Sequence, residues 1–153
     1  MSVARIRAVA EIALNVRDIG LMRSFYEGAL GFSLHSQFPD QEPTIVFLTI
    51  CGRGTALALG GHPEMLVLID PARHPPAAGR FDAIGRRSST LNHLAFEIDE
   101  GEYDAARERL KDLGLNPLSR EFGFLRAKAL FFEDPEGNLL ELICHDSHAS
   151  DAK

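Results

Sequence analysis

Three things are scarce in this 153-residue chain: cysteine, long apolar runs and net positive charge. The two cysteines, Cys51 and Cys144, are too few for a disulfide framework and show no CxxC spacing. Both lie in or beside apolar runs, where cysteine acts as a small buried hydrophobe, and a reducing cytoplasmic setting is expected. No apolar stretch approaches the length that spans a bilayer. "MSVARIRAVAEIALNV" has no long apolar core or small-residue cleavage site, so no signal peptide is expected. Lys and Arg number 16 against 22 Asp and Glu, for a net charge of −6. That balance argues against non-specific nucleic-acid binding and against docking on anionic membranes. Two catalytic signatures are missing as well. "GRGTALALGG" lacks the lysine of a phosphate loop and reads as a hairpin, and no serine sits in GxSxG.

What is present is a duplication. "EIALNVRD" at 11–18 resembles "HLAFEIDE" at 93–100, a segment ending in Leu30-Gly31 recurs as one ending in Leu113-Gly114, and Gly54 before "TALALGG" matches Gly137 before "NLLELIC". Three matches at nearly one offset indicate two copies of a strand, a helix and three strands. The fold class expected is α+β, two βαβββ modules forming a cupped mixed sheet with helices outside. The modules span 1–61 and 91–146, with a connector at 62–90 and a tail at 147–153. Pro63, Pro71, Pro75 and Pro76 mark the connector. Within it, "EMLVLID" is a candidate extra strand.

In the first copy Ile12, Leu14 and Val16 alternate with Glu11, Ala13 and Asn15, the period of a half-buried strand. The helix "IGLMRSFYEGAL" places Leu21 or Met22, Phe25, Ala29 and Leu30 near one face and stops at Gly31. "FSLHSQF", "TIVFLTIC" and "TALALGG" are the strands that follow. In the second copy Leu94, Phe96 and Ile98 alternate with His93, Ala95 and Glu97. A helix from about Glu102 to Leu113 carries Tyr103, Ala106, Leu110 and Leu113 on one stripe. "NPLSREF", "KALFFED" and "NLLELICH" complete it, with "DPEGN" as a turn.

The alternation sends Glu11, His93 and Glu141 to the strand faces away from the helices, with the small Ala13 and Ala95 beside two of them. A carboxylate amid Leu139, Leu140, Leu142 and Ile143 needs a neutralising partner. A divalent cation held by all three residues is one answer. Ordinary alternatives exist for each residue: a solvated strand end for Glu11, a backbone-bonded core histidine for His93, and an arginine such as Arg126 or Arg120 opposite Glu141.

The pattern "EIALNVRD…SFYEGALGF…LNHLAFEID…FFEDPEGNLLELI" resembles the vicinal oxygen chelate superfamily, over roughly residues 7–145. That group includes glyoxalases, extradiol dioxygenases, methylmalonyl-CoA epimerases and fosfomycin-resistance enzymes. The resemblance implies metal ligands on the first and last strands of each module, at Glu11, His93 and Glu141. Glu11 stands where histidine or glutamine is usual. The fourth corner falls at Ala58 by the repeat offset, or at Val67 if "EMLVLID" is the last strand, with Glu64 a lesser candidate.

It further implies Mn²⁺, Fe²⁺, Co²⁺, Ni²⁺ or Zn²⁺ as cofactor and a small-molecule substrate that chelates the metal through adjacent oxygens. The reaction would be that of a lyase, isomerase or dioxygenase, with Glu141 or Glu11 as general base. Phe131, Ala58, Ala95, Glu97 and His35 are the pocket candidates, and Phe131 replaces the tyrosine of ring-cleaving relatives. A homodimer with neither nucleic acid nor membrane as partner is expected. The alternative is a metal-free ligand-sequestering protein of the bleomycin-resistance type, its acidic cup attracting a cation.

Overall fold

The structure is a computed structural model that describes residues 9, 11–51, 63–74 and 91–145. The chain divides into two units, residues 1–84 and 85–153.

The first unit runs β1 (Glu11–Asn15), α1 (Ile19–Leu30), β2 (Ser33–Phe38), β3 (Ile45–Cys51) and β4 (Glu64–Ile69). Its sheet has the order β1-β4-β3-β2. β1 and β4 are parallel and the other pairs antiparallel. Asp18 caps α1 by accepting the Leu21 N–H at 2.9 Å, a contact worth about 1 kcal/mol. Gly31 ends it at φ 71, where a side chain would be strained.

The buried stripe of α1 is Ile19, Met22 and Tyr26; of the residues expected on that face, Met22 is buried, Phe25, Ala29 and Leu30 are half-buried, and Leu21 is half exposed. Spacing of three and four from Ile19 closes on Tyr26, whose ring stacks on Phe32 with centroids 5.6 Å apart. Removing a side chain of this size from water contributes about 1.5–3 kcal/mol.

The fourth strand of this sheet is "EMLVLI", taken from the stretch read as connector, and it lies between β1 and β3. "TALALGG" falls outside the described residues. A central strand buried on both faces reads as an unbroken apolar run, and Met65 through Leu68 are all buried. The connection between β3 and β4 is longer than its counterpart in the second unit, so a constant repeat offset points to the wrong segment.

The second unit runs β5 (Leu94–Glu97), a 3-10 turn at Glu100–Glu102, α2 (Tyr103–Asp112), β6 (Leu118–Phe122), a 3-10 turn at Gly123–Leu125, β7 (Ala127–Glu133) and β8 (Leu139–His145). Its sheet order, β5-β8-β7-β6, repeats the first unit's topology, with the parallel pair again formed by first and last strands. Both units are therefore βαβββ modules with their own mixed four-stranded sheet.

α2 turns Tyr103 and Leu110 inward and leaves Leu113 half exposed. The Tyr103 hydroxyl donates to the Ala129 carbonyl at 3.2 Å, and Lys128 Nζ lies 4.9 Å from the Tyr103 ring centroid. Cys144 is buried at 1% exposure, as its apolar neighbours suggest.

Two buried aspartates shape the turns. Asp134 accepts from the Glu136 and Asn138 N–H groups at 3.0 and 2.9 Å and from Asn138 Nδ2 at 2.7 Å, while Gly137 turns the chain at φ 82. Asp70 accepts from the Ala72 and Arg73 N–H groups at 3.0 and 3.2 Å and from Arg73 Nε at 2.6 Å. No helix among the described residues is long and apolar enough to cross a membrane.

Candidate functional site

The site of interest lies on one face of the second unit's sheet. β5 and β8 run in parallel with Ala95 opposite Glu141, and β7 places Phe131 opposite Glu141 from the other side. β6 continues the row with Leu118. Residues paired in register share a face, so Ala95, Glu141, Phe131 and Leu118 line up across the four strands. Leu140 and Leu142 point to the opposite face and are buried.

Glu141 is therefore a carboxylate at a central strand, only 5% exposed. Its partner is His93, which directly precedes β5: His93 Nε2 stands 3.1 Å from Glu141 Oε2. Neither Arg120 nor Arg126 pairs with Glu141, and among the described residues no lysine or arginine does. The Arg120 side chain instead donates to the Ser119 carbonyl at 3.3 Å.

The imidazole is gripped from its other side. His93 Nδ1 lies 2.7 Å from the Asn92 Oδ1, and the ring meets Phe131 edge to face, with centroids 6.0 Å apart and planes at 78°. Phe131 in turn meets Phe122 at 6.4 Å and 79°. One wall beside the histidine is thus aromatic. The other, at the exposed Ala95, is small and open.

The proton count at His93 decides what this pair can do. The Asn92 amide can turn either its oxygen or its NH₂ to Nδ1, so that contact suits either tautomer. Nε2 either holds a proton and donates it to the carboxylate or presents a lone pair towards it. Two lone pairs at 3.1 Å repel unless a cation lies between them. Imidazole nitrogen with carboxylate oxygen is also a donor set that divalent transition metals accept. Neighbouring ligands bonded at about 2.0–2.2 Å and set near a right angle are about 3 Å apart, which matches the pair. The residues present fit a divalent ion. Among the described residues of the second unit no third His, Cys, Asp or Glu joins them into a group of three.

The remaining candidates are placed as follows. Glu97 is exposed on the His93 face, opposite Ile143. Glu11 heads β1 in the first unit, exposed and opposite Met65. Val67 stands opposite Ala13 as Glu141 stands opposite Ala95, so the first module's equivalent corner carries an isopropyl group. Glu64, half-buried, opposes Cys51 at the strand's start. His35 is exposed at the irregularity where the β2–β3 register shifts, its Nδ1 3.1 Å from Ser36 Oγ. Ala58 lies outside the described residues. Asn92 was not singled out from the sequence. A polar residue directly before a candidate ligand was the available signal.

Comparisons with known proteins agree with this architecture. The family model described as Glyoxalase/Bleomycin resistance protein/Dioxygenase superfamily matches residues 8–142. Among solved structures, a lactoylglutathione lyase from Agrobacterium tumefaciens superposes with a TM-score of 0.66 at 24% identity, covering 92% of this chain and 96% of its own. The fosfomycin resistance protein FosX from Listeria monocytogenes gives 0.65 at 20% identity, covering 95% and 98%. A variant of that FosX, solved with Mn(II) and 1S,2S-dihydroxypropylphosphonic acid, gives 0.67 at 20% identity, covering 95% and 97%. At these identities the structural likeness speaks for the fold.

Proposed function

The chain belongs to the glyoxalase/bleomycin resistance protein/dioxygenase superfamily, and from that premise we propose that it is a metal-dependent enzyme acting on a small metabolite with two adjacent oxygens. One observation carries the reading: a buried carboxylate whose partner among the described residues is not an arginine or lysine but an imidazole nitrogen 3.1 Å away, a pair shaped for a shared cation. His93 and Glu141 would hold the ion. A bound divalent ion supplies Lewis-acid stabilisation of charge developing on the substrate oxygens.

The rest falls to the chain. Phe131 and Phe122 keep water from one side of His93, and the open space at Ala95 leaves room for a substrate. Glu141 is positioned to take a proton from a bound substrate. Phe131 has no hydroxyl to donate, so proton transfer in a lyase or isomerase fits better than ring cleavage. Mn²⁺, Fe²⁺, Co²⁺, Ni²⁺ and Zn²⁺ all suit nitrogen and oxygen donors. The proposal includes a cytoplasmic setting and a homodimer, the latter read by light scattering of the purified chain.

Elemental analysis of protein purified without added metal tests the reading. Stoichiometric divalent metal in the wild type, lost in His93→Ala and Glu141→Ala, is the expected result. The second reading, a metal-free binder of cationic ligands, is favoured by the fact that a proton on Nε2 also closes the His93–Glu141 pair. A wild type purified without metal, and unable to take it up, would establish that reading instead.

A further inference from the structure

Arg120 lies on the same sheet face as Glu141. The β6–β7 register sets Leu118 opposite Phe131 and Arg120 opposite Ala129, and a period of two keeps Leu118 and Arg120 on one side of the edge strand. Arg120 is exposed, and its Nη1 donates to the Ser119 carbonyl at 3.3 Å, within its own strand. Arg23, Arg73 and Arg107 each meet a carboxylate, whereas Arg120 meets none among the described residues. Among the described residues it is also the one lysine or arginine that the four strands place on this face, which it shares with Glu97, Glu133 and Glu141.

We propose that Arg120 is a specificity-determining residue, which takes a carboxylate at the far end of a substrate whose adjacent oxygens sit at His93 and Glu141. The inference rests on the metal reading above and adds the class of substrate: an acid with a chelating head, an apolar chain and a remote carboxylate.

The path between the two ends is apolar. From Glu141 the row continues through Phe131 to Leu118, which is 52% exposed beside that ring. Phe122, on the other side of Arg120 along β6, meets Phe131 with centroids 6.4 Å apart. Strands are spaced about 4.8 Å and same-face neighbours about 6.8 Å, so the Arg120 backbone lies about 12 Å from that of Glu141. Two long side chains and a substrate of several carbons cover that span together. A guanidinium offers a carboxylate two parallel N–H groups. One cation balances one negative charge, and the glutamates on the same face disfavour a dianion such as phosphate.

The test uses two probes of equal length, 2-oxosuberate and 2-oxooctanoate. They share a 2-oxo acid head and differ in the last group, carboxylate or methyl. Calorimetry of the Zn²⁺-loaded full chain reads affinity, and ¹⁵N spectra read the Arg120 Nε–H signal, assigned by its loss in Arg120→Gln. An exposed ion pair with good fork geometry contributes about fivefold. 2-Oxosuberate should therefore bind the wild type about fivefold tighter than 2-oxooctanoate, with the ratio falling as salt is added, and should shift the Arg120 signal. Arg120→Gln should lose that preference while keeping wild-type affinity for Zn²⁺ and for 2-oxooctanoate, a split that a merely structural arginine would not give.

A Zn²⁺-loaded wild type that binds neither probe, or binds both equally, overturns the proposal, as does an undiminished preference in Arg120→Gln. A wild type that takes up no Zn²⁺ overturns the metal reading instead. Octanoate and octanamide then decide Arg120 on the metal-free chain, a signal shifted by octanoate alone upholding the carboxylate site and an unmoved one ending it.

Discussion

Replacing Glu141 by leucine separates function from stability more sharply than any other substitution at the site. Glu141 occupies a central strand at 5% exposure, between the buried Leu140 and Leu142. A leucine there gains about 1.5–3 kcal/mol of apolar burial and removes the carboxylate's desolvation cost of about 1–3 kcal/mol. It forfeits the charged hydrogen bond to His93, about 1.5–3 kcal/mol. The balance for metal-free protein is a stabilisation of about 1–2 kcal/mol. Buried ion pairs replaced by apolar residues behave this way, neutral or stabilising by about 1–4 kcal/mol.

His93→Ala works in the other direction, because it strands the buried carboxylate. Its expected cost is about 1–3 kcal/mol, below the 3–5 kcal/mol of fully buried pairs. The lower figure applies because the His93 side chain is 37% exposed and water can take its place.

Thermal unfolding in EDTA reads both changes. For a chain of this size, each kcal/mol moves Tm by about 2–4 °C. Glu141→Leu should therefore melt a few degrees above wild type and His93→Ala a few degrees below it. Added Mn²⁺ at about a hundred times Kd should stabilise the wild type by about 2.7 kcal/mol and leave Glu141→Leu unmoved. A Glu141→Leu protein that melts well below wild type would show that the carboxylate is a structural strut, and the reasoning from its burial to a cation would be refuted.

Two further predictions concern the scaffold. Gly28 lies inside α1 with no atom within 4 Å of an added Cβ, so Gly28→Ala should stabilise by about 0.5–1 kcal/mol. Gly137 has equal room but a φ of 82, so Gly137→Ala should cost about 1–2 kcal/mol through backbone strain alone, and urea midpoints of the two variants should move oppositely. Burial pushes the Asp70 carboxyl up, but the Arg73 guanidinium and the Ala72 and Arg73 N–H groups outweigh it and hold its pKa below the ordinary aspartate value of 3.8. A carboxylate with a lowered folded pKa contributes stability that is full above the unfolded value and is lost as pH falls through the folded one. The stability gap between wild type and Asp70→Asn should be widest at neutral pH and close below pH 3.8; a gap that persists in acid would contradict this assignment.

The duplication, both helices and seven of the eight strands were legible in the sequence, since alternation and helical spacing are written in local order. The DPEGN turn was legible for the same reason, since proline, glycine and asparagine restrict the backbone wherever they occur. β4 was not. It is central, its apolar run has no alternation, and the longer β3–β4 connection breaks the repeat offset that would have located it. Register across strands then settled what spacing had left open, and put Val67 rather than a carboxylate in the first module's corner.

The pairing of His93 with Glu141 divides in the same way. Sequence by itself determined that both side chains leave the helix-facing side of their strands, because a period of two residues fixes the face on which each side chain lies. It also determined that a carboxylate set among leucines and an isoleucine must find a partner. Only the tertiary structure decided which partner, since an arginine two strands away and a histidine one strand away are equally available to a linear reading. The parallel register of β5 on β8 brings Nε2 to the carboxylate, and the Asn92 side chain meets Nδ1 on the other side of the ring, neither of which is encoded at any single position.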